Sequence, residues 1–254
     1  MNKSLFLQIA LQAVSSAQEI INKYYQSGVR ATLKQDQSPV TIADQEAEEA
    51  IKNIISTAFP DHAFLGEESG STTTGSEYTW IIDPIDGTKH YLRQIPLFAT
   101  QLALMRGDEI ILGVSNAPAI NELIWAEKGE GAFLNDKRIT VSDVLKLDQA
   151  YLSYGGLGYF KRNNLLDNLI NLEASTQGHR GIGDFWSYHL LVQGKIEIMV
   201  EAATKIWDIA AASIIVKEAG GIVTDLQGNT ITKSSHSIIA TNGLVHDKVV
   251  GYFR

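Results

Sequence analysis

The sequence predicts an α/β protein built in layers, and three observations carry that expectation. From residue 151 onward, strand-like runs alternate with helical ones, the order expected of a layered αβαβα sandwich. The first half instead sets two amphipathic helices ahead of a strand-rich stretch. A length of 254 residues with 44% hydrophobic side chains supports a substantial core. The expectation is one domain over 1–254, made of two packed halves at about 1–142 and 143–254.

Each element has its own signal. Leu5, Ile9, Ala13, Ala17, Ile20 and Tyr24 recur at helical spacing and Gly28 supplies a stop, so a first helix is expected to bury that face. The same stretch has some features of a signal peptide, but Gln8 and Gln12 interrupt its apolar patch, and an amphipathic helix describes it better. Thr41-Ile-Ala-Asp44 resembles a capping box and opens a second helix that Pro60 ends. Strands are predicted over 63–66 and 78–82, then a hairpin over 98–118 turning at Arg106-Gly107-Asp108, then further strand over 122–135. A polar connector covers 141–149. Beyond it come a strand from Tyr151, a helix over 164–172, a Gly-rich strand, a helix over 185–192, a strand over 195–202 and a helix over 207–220. Strands over 221–226 and 237–242 and a terminal helix complete the chain. No apolar run approaches the ~20 residues of a membrane span, so a soluble, cytoplasmic protein with no membrane partner is expected.

Composition narrows the chemistry. With 21 basic against 29 acidic residues the formal charge is −8, which disfavours nucleic acid as a primary partner. There is no cysteine, which excludes disulfides, thiolate nucleophiles and Cys-ligated clusters, and the six histidines show no His-Glu-x-x-His spacing. Any metal is therefore expected on oxygen ligands, which points to a hard ion such as Mg²⁺. Gly113-Val-Ser115-Asn-Ala117 lacks the second glycine of a nucleophile elbow, and no complete Gly-x-Gly-x-x-Gly or P-loop is present, so serine-hydrolase and nucleotide-fold chemistries fall away.

The stretch Trp80-Ile-Ile-Asp-Pro-Ile-Asp-Gly-Thr-Lys-His-Tyr91 brings a strand up to Asp83, a turn at Pro84, a second aspartate at Asp86, and a helix start at Gly87-Thr88. It reads either as a turn, since Asp, Pro and Gly are all turn formers, or as paired ligands at the carboxyl end of a strand, where α/β sheets bind. Glu67 and Glu68 follow another apolar strand, and in extended backbone they point to opposite sides; they read as a solvated acidic loop or as one metal ligand with a supporting neighbour. Asp208 begins a long apolar helix, a place favoured by the helix dipole whatever the function. Taken together, four carboxylates at strand ends or helix starts and a Gly-Thr helix start suited to phosphate form the set that two-metal phosphoryl chemistry requires.

In Gly66-Glu-Glu-Ser69, Asp83-Pro-Ile-Asp-Gly-Thr88, Trp207-Asp-Ile-Ala-Ala and Glu218-Ala-Gly-Gly221, nearly end to end, the chain resembles the inositol monophosphatase superfamily. That resemblance implies the sugar-phosphatase αβαβα fold and a Mg²⁺-dependent phosphomonoesterase using two or three ions and a metal-activated water. It implies that Glu67, Asp83, the Ile85 carbonyl, Asp86 and Asp208 hold the metal. It further implies that Glu67 and Thr88, paired with Asp44, activate the water, that Gly87 and Thr88 hold phosphate, and that Lys34 stands near the site. A homodimer acting on a small phosphorylated metabolite is expected on the same ground.

For the substrate, Lys89-x-x-x-Arg93-x-x-Pro96 and Arg180-Gly-Ile-Gly-Asp184-Phe-Trp-Ser187 resemble the histidinol-phosphatase branch. Asp184 and Glu201, with Arg180 nearby in sequence, are the candidate substrate contacts; the two carboxylates would pair with the positive charge of histidinol phosphate. Glu201 serves an inositol phosphate equally well, and Asp184 reads alternatively as the cap of its helix. His90 reads as a surface or supporting residue. Inositol phosphate is the second substrate expectation, then fructose 1,6-bisphosphate or 3′-phosphoadenosine 5′-phosphate; a non-catalytic, partner-binding role is the rival of a different class.

Overall fold

The computed structural model of the chain describes residues 3–28, 31–33 and 39–254. Its first layer is α1 (Leu5–Ser27), followed by the short pair β1 (Thr32–Leu33) and β2 (Pro39–Val40), and α2 (Ile42–Ala58), which packs alongside α1. Ser4 caps α1 by accepting the Leu7 N–H at 3.1 Å. The buried face of α1 is Leu7, Ala10, Ala13, Val14, Ala17 and Ile21, so it is rotated from the expected one: Leu5 is 60% exposed. Alanine at the contact lets α1 come close to its neighbours, and the larger Ile9, Ile20 and Tyr24 sit at the margins. The expected capping box opens α2, with Thr41 and Asp44 satisfying each other's N–H groups.

The chain then lays down β3 (Ala63–Gly66), β4 (Gly70–Thr72), β5 (Tyr78–Asp86), the short α3 (Thr88–Leu92), β6 (Ala99–Arg106), β7 (Glu109–Ala117), β8 (Glu122–Glu127), β9 (Gly131–Leu134) and β10 (Lys137–Ile139). These strands form one sheet in the order β10-β9-β8-β7-β6-β5-β3-β4. The β6–β7 hairpin turns where expected, between Arg106 and Glu109. After the connector come β11 (Tyr151–Tyr154), α4 (Leu157–Arg162), α5 (Leu166–Glu173), β12 (Gly178–Arg180), α6 (Asp184–Val192), β13 (Ile198–Glu201), α7 (Ile206–Glu218), β14 (Ile222–Thr224), β15 (Ile238–Thr241) and α8 (His246–Val250). A second sheet runs β12-β11-β13-β15-β14.

Three large cores, among the described residues, bind five layers. Trp80, Ile82, Leu102 and Val114 meet α1 and α2 on one face of the large sheet. Its other face, through Ile81, Ala103 and Met105, packs on α6 and α7, which also meet Met199, Ile238 and Ala240 of the small sheet. The far face of the small sheet is closed by Phe160, Leu169, Leu172 and Val249 from α4, α5 and α8. This is the αβαβα sandwich. Helix α7 is buried nearly all round, as a helix between two sheets must be.

The strand through the motif differs from expectation in one important respect. β5 does not stop at Ile82 and turn at Pro84; it runs on to Asp86, with a register shift between Asp83, which pairs Gln101, and Asp86, which pairs Ala99. Side chains alternate along a strand, so residues three apart ordinarily face opposite ways. Here β5 uses three steps where β6 uses two, and this bulge of one residue turns both aspartates to the same side. Among the described residues, no helix is long and apolar enough to cross a membrane.

Candidate active site

The site forms where β3 and β5 end, α7 begins and the loops after β11 and β13 converge, around a cavity of about 790 Å³. Glu67, Asp83, Ile85, Asp86, Gly87, Thr88, Asp184, Glu201 and Asp208 all line it. Three candidates do not line it: Arg180, Arg93 and Asp44, the last buried in the first turn of α2. Arg180 is exposed on edge strand β12, its guanidinium 5.9 Å from the Tyr151 ring. Arg93, part of the branch-like pattern, lines a different, smaller cavity beside Tyr24, Tyr25 and Tyr91. Lys34 lies outside the described residues.

Asp83 is 2% exposed and its Oδ1 accepts the Ile85 N–H at 3.0 Å, which fixes the bulge from within. Burial pushes it well above the ordinary carboxylate range, and the charges of Glu67, Asp86 and Asp208, with a hydrogen bond to Glu67, push it further. Asp86 accepts the Phe185 N–H at 2.9 Å, joining β5 to α6, and is likewise raised by desolvation and by Asp184, Asp208 and Glu201. Asp208 does what its position allows and more: its Oδ2 accepts the Lys205 N–H at 2.7 Å as a helix cap while the carboxylate lines the cavity. Desolvation raises it to about 7, with Glu67 and Asp184 adding to the rise and the Lys205 N–H opposing it.

Thr88 donates its hydroxyl to the Ile85 carbonyl at 2.9 Å. Asp44 is held through Oδ2 by the N–H and hydroxyl of Thr41, each at 2.7 Å. Between strand and α3, Gly87 has φ +87°, and a Cβ there would lie 2.7 Å from the Leu97 carbonyl oxygen, so only glycine fits.

A second group of carboxylates lines the same cavity. Asp184 is not a cap: Gly183 holds that place without a side-chain bond, and Asp184 is the first residue of α6, at φ +49°. A non-glycine residue in that region is strained, and such strain concentrates at functional sites. Its Oδ2 is 3.5 Å from His90 Nδ1, an approach without a hydrogen bond, so His90 stands beside the site. Burial raises Asp184, with His90 and Lys89 pulling the other way. Glu201 is pushed to about 8 by desolvation, although it accepts the Tyr188 hydroxyl at 2.6 Å and the Asp184 N–H. Helix α4, absent from the sequence expectation, adds Tyr159, Arg162 and Asn163 to the lining. The Arg162 guanidinium stacks 4.6 Å from the Tyr159 ring, an i,i+3 pair whose spacing is visible in the sequence.

A cation suits this donor set. Every candidate ligand is oxygen, and the carboxylates raise one another, a repulsion that a divalent ion relieves. Among the described residues no three acidic or histidine side chains are gathered closely enough to hold a metal ion as they stand. The candidate ligands line an open cavity, and Mg²⁺ ordinarily completes its shell with water and phosphate.

A sequence model of the inositol monophosphatase family matches residues 2–254. The chain belongs to that family. The histidinol-phosphatase of Mycobacterium tuberculosis is 37% identical over 250 residues, covering 96% of each chain. The inositol-1-monophosphatase of Mesorhizobium japonicum is 34% identical over 251 residues, 96% of this chain and 94% of that one. Among solved structures, the extragenic suppressor protein suhB of Bartonella henselae superposes with a TM-score of 0.92 at 32% identity, covering 99% of both chains. As an inositol monophosphatase family member this protein is a phosphatase acting on small phosphorylated substrates.

Proposed function

We propose that this phosphatase hydrolyses histidinol phosphate to histidinol and phosphate, with two or three Mg²⁺ held by Glu67, Asp83, Asp86, Asp208 and the Ile85 carbonyl. The observation that carries the substrate assignment is Asp184, held at φ +49° in the cavity wall with Glu201 accepting its N–H. Two carboxylates beyond the metal set make a cavity end that favours a cationic substrate, and the histidinol-phosphatase relative supports the reading.

Mg²⁺, when bound, neutralises phosphate charge and lowers the pKa of water. The chain's own residues supply the rest. Gly87 and Thr88 offer N–H groups of the first turn of α3, which have no partner within the helix, to the phosphate oxygens. The Glu67 carboxylate accepts the proton of the attacking water, and Thr88 and Asp44 orient that water once the Thr88 hydroxyl leaves the Ile85 carbonyl. Asp184 and Glu201 pair with the ammonium and imidazole, and the Tyr188 hydroxyl keeps Glu201 aimed into the cavity.

Glu201 favours a second reading. Raised to about 8, it is a hydroxyl partner as well as a cation partner, which suits an inositol phosphate. A phosphate-release panel decides between them: histidinol phosphate, inositol phosphates, fructose 1,6-bisphosphate and 3′-phosphoadenosine 5′-phosphate, each with Mg²⁺ and with EDTA. Histidinol phosphate is expected to show the highest kcat/KM, with release abolished by EDTA; faster turnover of an inositol phosphate overturns the assignment. The same reading takes the protein as a cytoplasmic homodimer, on family resemblance, which sedimentation would test.

A further inference from the structure

Asp44, Glu48 and Lys52 stand four residues apart on α2 and share one face of that helix. Asp44 belongs to the proposed catalytic set; Glu48 does not line the active-site cavity, yet it is 2% exposed. A carboxylate so far from water is costly unless donors surround it. Its donors are the loop that carries Glu67. Oε2 accepts the Glu68 N–H at 2.9 Å, and Oε1 accepts the Ser69 N–H at 3.1 Å and the Ser69 hydroxyl as well. Lys52 Nζ donates to the Ser69 hydroxyl at 2.9 Å from the outer side.

Glu67 opens the three-residue turn between β3 and β4, whose ends are the facing Gly66 and Gly70. On the strand side its N–H is held by the Ile82 carbonyl at 3.0 Å. On the other side the backbone is held by Glu48. Gly66 completes the arrangement: a Cβ there would lie 2.2 Å from Glu48 Oε1, so the missing side chain is the space the carboxylate occupies.

We propose that Glu48 is a positioning residue for the metal site, fixing the Glu67–Ser69 turn so that the Glu67 carboxylate is directed at Asp83. The inference rests on the reading of Glu67 as a metal ligand. Outer partners of this kind ordinarily account for roughly 10–100-fold in metal affinity.

The test measures Mg²⁺ binding by calorimetry, alongside kcat against Mg²⁺ concentration and the melting temperature in EDTA. Glu48→Gln puts an amide donor against backbone donors, and is expected to weaken Mg²⁺ about tenfold or more, with the KM for the phosphate ester at saturating Mg²⁺ nearly unchanged. Gly66→Ala, which displaces the carboxylate, is expected to do the same, and to add nothing further in a Glu48→Ala background. If Glu48→Gln does not fold, Ser69→Ala removes one donor in its place and is expected to weaken Mg²⁺ by a smaller factor. Glu67→Gln is the control. Weaker binding in Glu67→Gln with unchanged binding in folded Glu48→Gln or Ser69→Ala overturns the positioning role alone. Unchanged binding in Glu67→Gln overturns the ligand reading, and this inference with it.

Discussion

Tyr188 donates its hydroxyl to Glu201 at 2.6 Å, and the same carboxylate accepts the Asp184 N–H, so a residue of α6, the end of β13 and the strained start of α6 are fastened together in one cavity wall. Tyr188→Phe removes one donor from a carboxylate already raised to about 8. The remaining proton is then held more tightly, and Glu201 is a poorer anion at neutral pH. A hydrogen bond to a charged group is worth about 1.5–3 kcal/mol, so KM for histidinol phosphate is expected to rise about tenfold, with kcat changed far less. Steady-state kinetics check it; an unchanged KM removes Glu201 from substrate binding.

Asp83→Asn is expected to act in opposite directions on activity and stability. It deletes a proposed metal ligand, so turnover should fall at least about a hundredfold. It also deletes a buried carboxylate that desolvation and the charges of Glu67, Asp86 and Asp208 raise, while keeping the Oδ1 that accepts the Ile85 N–H. In EDTA the variant should unfold at higher temperature, by the equivalent of about 1–3 kcal/mol. A melt in EDTA below that of the parent contradicts this account of the site.

Asp184→Asn tests substrate charge. It keeps the size of the side chain and the strained backbone, and leaves His90 beside a neutral group. The ratio of kcat/KM for histidinol phosphate over inositol phosphate is expected to drop about tenfold. An equal loss for both substrates makes Asp184 a structural residue only.

A pH effect on stability is expected away from the site. His189, 2% exposed, sits between Ser115 and Glu122, its Nε2 2.7 Å from Ser115 Oγ and its Nδ1 2.8 Å from Glu122 Oε2. An ionised Glu122 only accepts, so Nδ1 carries the proton and Nε2 accepts from the serine. Burial holds His189 below its ordinary value of 6.5, even though Glu122 pulls it upward. The unfolded chain therefore binds the extra proton first, and stability falls as pH drops below about 6.5 until the folded value is passed. Glu122, lowered mainly by its bond to His189, adds stability above its unfolded value that is lost only as pH falls through the lower folded one. Urea melts from pH 8 to 5 should show a slope of up to about 1.4 kcal/mol per pH unit from His189, present in the parent and missing in His189→Asn. A parent and variant that decline in parallel refute it.

The layers and most ligand candidates were legible because they rest on local signals. Alternating strands and helices give the sandwich, Thr41 and Asp44 form the cap their spacing announces, and Glu67, Asp83, Asp86 and Asp208 reach one cavity. What was not legible depends on register and on distance along the chain. Nothing local distinguishes a turn at Pro84 from a strand that passes through it. The buried face of α1 is set by what it packs on, which its own periodicity does not contain. Arg180 neighbours Asp184 in sequence, but edge strand β12 carries it away from the cavity while α6 brings Asp184 in. Ser115, Glu122 and His189 come from separate elements, so no local pattern around Ser115 announces the chain of buried hydrogen bonds they form. Glu48 carries no local mark of its role, because the turn it holds lies about twenty residues further along the chain.

The bulge in β5 makes the length of this segment matter as much as its composition. A strand counts in twos and the motif counts in threes, and the single surplus residue reconciles them. Remove one residue between Asp83 and Asp86 and the second aspartate lands on the face packed toward the other layer, with every side chain still of the right kind. Drift by substitution around Pro84 and Ile85 therefore leaves a route open, whereas a one-residue deletion there closes the site in a single step.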